Sequence, residues 1–144
     1  MNNRYQTRQL TNNLGGAMIE FALVLPLLLL VIFGIIEFSI ALYDKAVITN
    51  ASREGARAGV IFRTPAITDE QISAIVVNAS EAHLITFGAA ATPQVSVTRP
   101  NGATAGNPLT VTVAYEFTGL MLGDLLSVMT GTHTLVSATT MVIE

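Results

Sequence analysis

From Phe21 to Ile36 the chain reads FALVLPLLLLVIFGII, with every side chain apolar or small. Adding Phe38 to Tyr43 extends the run across a single charge, Glu37, and gives the ~20 residues that span a bilayer core. No other stretch restricts the fold so tightly, because a surface this apolar needs either lipid or a large protein core around it. The segment 16–43 is therefore expected to be one membrane helix. Pro26 removes one helical hydrogen bond and Gly34 adds flexibility, which leaves room for a bend.

The flanks differ from the run and from each other. Met1 to Leu14 (MNNRYQTRQLTNNL) is polar, carries Arg4 and Arg8 without any acid, and shows neither helical nor strand periodicity, so it is expected to be a leader. On the other side, Asp44 to Phe62 (DKAVITNASREGARAGVIF) is rich in alanine and free of proline, and the helix is expected to continue through it until Pro65. Across all 144 residues, 51% are hydrophobic and 12% charged, too apolar for a typical soluble domain. The net charge of −3 offers no basic field, so nucleic acid is not an expected partner. With no cysteine, disulfides, thiolate chemistry and cysteine zinc sites are excluded.

Past Pro65 the pattern becomes that of a small folded head, residues 65–144. Thr68 followed by Gln71 matches a capping box, with Asp69 and Glu70 in the first turn where the helix dipole favours acids. Ile72, Ile75, Val76, Ala79 and His83 then form one face of an amphipathic helix that ends before Gly88. Gln94 to Thr98 (QVSVT) and Leu109 to Thr118 (LTVTVAYEFT) alternate as strands do, the second placing Leu109, Val111, Val113, Tyr115 and Phe117 on one face. PNGATAGNP between them is loop chemistry. Thr132 to Glu144 reads as a third strand, and Leu120 to Met129 as a short helix or loop. The expected class is α+β: a long N-terminal helix, one further helix and a roughly three-stranded antiparallel sheet.

Few residues offer chemistry. His83 and His133 are far apart and belong to no metal or nucleophile motif, so no enzymatic activity, metal or cofactor is expected. Glu20 is the conspicuous residue, since a carboxylate within hydrocarbon costs ~2.5–3.5 kcal/mol and calls for a partner. Glu37, 17 residues on, would lie about 25 Å away along a helix. The two acids are expected to mark the two faces of a membrane. Ala51, Gly55 and Gly59 form a small-xxx-small stripe that admits a second backbone, either the chain's own sheet or a neighbouring subunit's helix. Arg53, Glu54 and Arg57 are expected on the solvated side.

GGAMIEFALVLPLLLLVIFGIIEF, followed by NASREGARAGV and a final strand, resembles the TadE-like minor pilins (pseudopilins) of the Tad (Flp, type IVc) pilus. The resemblance is strongest from Gly15 to Val60. It implies that a prepilin peptidase cuts between Gly15 and Gly16, making Glu20 the fifth mature residue and Phe21 the sixth. The alternative cut after Gly16 would make Glu20 the fourth. A chain without Cβ suits an extended protease cleft. The resemblance further implies that Glu20 pairs with the new amine of an adjacent subunit, with other Tad pilins, minor pilins and the inner-membrane assembly platform as partners. It places residues 1–15 in the cytoplasm, the span in the inner membrane and the head outside. Loss of residues 1–15 removes Arg4 and Arg8 and no acid, taking the charge from −3 to −5. The competing expectation is a secreted or tethered binding module cut at the conventional Ser39-Ile40-Ala41 site, although the apolar run exceeds the 7–15 residues of a normal signal core.

Overall fold

The computed structural model describes residues 4–61, 63, 65–87, 92–119 and 133–144, and of 4–14 the backbone alone. Helix α1 runs from Arg4 to Val60, α2 from Asp69 to Glu81, and strands β1 (Gln94–Thr98), β2 (Pro108–Phe117) and β3 (His133–Val142) follow. The class is α+β, as the sequence patterning leads one to expect. The apolar segment 120–129 lies outside the described residues. The chain forms two compact units, Met1–Ile36 and Glu37–Glu144.

The first unit is helical throughout its described length, with Pro26 inside the helix. The helix starts at Arg4, upstream of Gly15 and Gly16 and ahead of residue 16, where the membrane helix was expected to begin. Once a helix is nucleated, each added residue gains a hydrogen bond at little cost, and Arg, Gln and Leu are good helix formers. Missing apolar periodicity in residues 4–14 therefore does not exclude a helix.

The second unit is built on the rest of α1. Asp44, Ile48, Ala51, Ser52, Gly55, Ala56 and Gly59 are buried along one stripe at helical spacing. Helix α2 starts at a complete capping box, in which Thr68 accepts from the Gln71 amide (3.3 Å) and Gln71 Oε1 accepts from the Thr68 amide (3.1 Å). Its buried face is Ile72, Val76 and Ser80, which differs from the expected face. Ala79 and His83 are exposed, and α2 ends two residues before His83. Ser80 can replace them because its hydroxyl donates to the Val76 carbonyl at 2.8 Å, so burying it strands no polar group.

The sheet is an antiparallel meander in the order β1-β2-β3. Leu109, Val111, Val113 and Tyr115 of β2 are fully buried with Ile48, Ala51, Ala56, Ile72 and Val76, and each large aliphatic among them contributes about 1.5–3 kcal/mol. Phe117 is half-buried at the end of that face. The β1–β2 loop turns at Gly102 and Gly106, both with φ near +85°, a region other residues rarely adopt. Strand β3 lies against α1. Lys45 Nζ donates to the Val136 carbonyl, Ser52 Oγ hydrogen-bonds Thr139 Oγ1 at 2.8 Å, and the Glu144 amide donates to the Val60 carbonyl at 3.2 Å.

Candidate processing and assembly site

Gly15 and Gly16 lie in α1, and a Cβ built on either would meet nothing within 4 Å. Among the described residues no packing asks for glycine there. Cleavage in an extended cleft would require this turn of helix to unwind, and two glycines, each about 1 kcal/mol poorer than alanine in a helix, lower the cost of doing so. Glu20 follows on the exposed surface, and Phe21 is 64% exposed. From Met18 to Ile36 nearly every large apolar side chain is exposed, Leu23 at 74% and Ile35 at 63% among them. An uncovered apolar surface of this extent is one that lipid or a partner must cover. By length and composition, α1 can cross a membrane.

Ala51, Gly55 and Gly59 are treated differently by the fold. A Cβ on Gly55 would overlap Val76 Cγ2 and sit 3.4 Å from Ile72 Cγ2. On Gly59 it would overlap Leu109 Cδ2 and lie 2.8 Å from Ile72 Cδ1. The stripe thus faces α2 and β2 of the same chain, which accounts for its small residues without a neighbouring subunit. Arg53, Glu54 and Arg57 are exposed.

Three polar residues absent from the sequence-based expectations help fix α1 to the head. Asp44 is fully buried; its Oδ1 accepts from the Ile85 amide at 2.9 Å while Oδ2 has no partner. Burial pushes its carboxyl above the usual carboxylate range, and the Ile85 hydrogen bond offsets part of that rise. Lys45 and Ser52 reach β3 as described. One signal was available for Asp44: it stands four residues before Ile48, so the buried stripe extends back onto it. Glu37 is also buried, at 8% exposure, within the second unit.

His83 and His133 are exposed, and among the described residues no group of three His, Cys, Asp or Glu is placed to hold a metal. Among the described residues one helix, α1, is long and apolar enough to cross a membrane, and the small α+β head is packed on the part of it from Glu37 onward. Over residues 15–57, under a third of its length, the chain matches the family model described as TadE-like protein. No curated protein and no solved structure matches. The TadE-like family is a pilus-associated structural family, and the matched segment holds Gly15, Gly16, Glu20, Phe21, Ala51 and Gly55, with Gly59 just past its end.

Proposed function

We propose that this protein is a minor pilin or pseudopilin of a Tad pilus, cut by a prepilin peptidase between Gly15 and Gly16 and held in the inner membrane by residues 16–43. The observation that carries the reading is that the TadE-like match begins at Gly15, the residue at which the leader would be removed. In this reading residues 1–15 are cytoplasmic and the head is outside. Glu20, exposed on an apolar helix, pairs with the Gly16 amine of a neighbouring subunit. Such a pair removes the cost of a lone carboxylate in hydrocarbon. The exposed surface from Met18 to Ile36 supports lipid and other pilins as its cover, and the assembly platform as the place where they meet.

The head itself argues against conventional signal cleavage after Ala41. That cut would remove Glu37, which is buried in the second unit, and leave Asp44 beside a new terminus. Mass spectrometry of the chain extracted from membranes tests the proposal. A mature N-terminus at Gly16 is expected; one at Leu42, or an unprocessed chain in a strain with an active Tad system, overturns it. For the pairing, Glu20→Ala should be inserted and processed normally yet fail to co-purify with its pilin partners.

A further inference from the structure

Within the second unit, the contacts of α1 fix which end of the head stands next to the apolar run. Gly59 lies against Ile72 and Leu109, Gly55 lies against Val76 and Val111, and Asp44 Oδ1 accepts from the Ile85 amide at 2.9 Å. Following α1 back from Gly59 to Asp44 therefore means following α2 forward, and the loop that leaves α2 arrives at Asp44, one residue past Tyr43. Pro108 and Val142, paired beside Leu109, stand at the other end. The 15 residues from Asp44 to Gly59 put about 22 Å between the two levels.

The two ends differ in chemistry. At the near end residues 84–87 read LITF, with Ile85 exposed and Phe87 half-buried, and exposed Phe38, Leu42 and Tyr43 lie on the adjoining stretch of α1. At the far end the loop from Asn101 to Asn107 carries no large apolar side chain. Residues 82–87 hold no lysine, arginine or acid. The amides of His83 and Leu84 donate to the Ser80 carbonyl and that of Ile85 to Asp44, and backbone that approaches lipid must be satisfied within the chain in this way. Glu37, about 10 Å from Asp44 along α1, is buried in this unit as well, so cover of the helix continues into the apolar run. Tyr43 supplies the amphipathic ring favoured at membrane interfaces. We propose that the 84–87 loop is a lipid anchor: Ile85 and Phe87 enter the boundary between headgroups and acyl chains beside Leu42 and Tyr43, and hold this end of the head on the bilayer. The proposal rests on the reading of residues 16–43 as a membrane span.

The chain has no tryptophan, so a single introduced one reports on a single place. Interfacial apolar side chains reach ~5–10 Å into the boundary, a depth sensed by lipids brominated near the headgroup end of the acyl chain. Full-length Ile85→Trp in phosphatidylcholine vesicles, at a high ratio of lipid to protein, should emit to the blue of Val142→Trp and lose most of its emission to these lipids. Val142→Trp, at a position 60% exposed, should be quenched by aqueous iodide instead. Phe87→Trp, an aromatic exchanged for an aromatic, repeats the measurement in the same loop, and Leu28→Trp reports on the span. If Leu28→Trp is quenched by lipids brominated deep in the chain and neither loop probe is quenched by any, the anchor is overturned and the span stands; if Leu28→Trp is not quenched, the span fails and the anchor with it. Equal lipid quenching of Ile85→Trp and Val142→Trp would show that the head has no anchoring end and also overturns the proposal. So would a blue-shifted Ile85→Trp that no brominated lipid quenches, since a second copy of the chain would then cover the loop.

Discussion

Gly55 of α1 lies so close beneath Val76 of α2 that a single methyl added to the glycine would overlap Val76 Cγ2. The approach is set by a β-branched side chain in a helix, which has essentially one rotamer and cannot swing aside. Gly55→Ala should therefore destabilise the head by about 1–2 kcal/mol, because overpacking of 1–3 kcal/mol exceeds the gain of up to about 1 kcal/mol in helix propensity. Gly16→Ala, with nothing near its Cβ, should leave the head unaffected. Thermal unfolding of the two variants in detergent, followed by head-specific near-UV signals, separates the cases. Equal midpoints would mean that α1 and α2 are not this close.

The hydroxyl pair between Ser52 and Thr139 makes a second, independent prediction. Ser52→Ala leaves Thr139 Oγ1 without its partner and should cost about 1–2 kcal/mol. Adding Thr139→Val removes the stranded hydroxyl, so the double variant should be more stable than the sum of the single losses. A double-mutant cycle on the unfolding midpoint measures this coupling, and strict additivity would show that the two hydroxyls do not interact.

Asp44 gives the head a pH dependence of predictable sign. Its carboxyl holds its proton more tightly folded than unfolded, so the stabilisation is complete below the unfolded value and is lost as pH rises through the folded one. Asp44→Asn keeps an acceptor for the Ile85 amide and cannot ionise. The stability of the variant relative to the parent should rise from about pH 4 upward, where an ordinary carboxylate loses its proton. Unfolding midpoints across pH 4–7 check this, and a flat difference would refute it.

At the start of α2, Thr68→Ala removes the side-chain acceptor of the capping box. The expected loss is about 1 kcal/mol, and Thr68→Ser should recover most of it. Amide hydrogen exchange at Gln71 and Ile72 should quicken in the alanine variant and return to the parent rate with serine.

Much of this fold was legible because its signals are local. The alternation from Leu109 to Phe117 named the buried face of β2, and Thr68 with Gln71 named the start of α2. Ser80 escaped because it satisfies its own hydroxyl against Val76, which no hydrophobicity pattern can register. The stripe at Ala51, Gly55 and Gly59 was visible as small residues, yet only the position of Val76 and Leu109 decided that it faces inward. Asp44, Lys45 and Ser52 were the least legible, since their partners at Ile85, Val136 and Thr139 lie 41 to 91 residues away.

The contact between Lys45 and the Val136 carbonyl spans 91 residues, and Ser52 meets Thr139 across 87. Such long loops must close before the contacts that reward them exist, so the head is a slow, late-completing structure for its size. During translation, Ile48, Ala51 and Ala56 wait uncovered until α2 and β2 emerge, and β3 adds Leu135 and Met141 to the cluster last. Synthesis thus delivers α1 well before its head can close, and a ribosome stalled short of β3 would leave a tethered chain with an open core, a ready substrate for quality-control proteases.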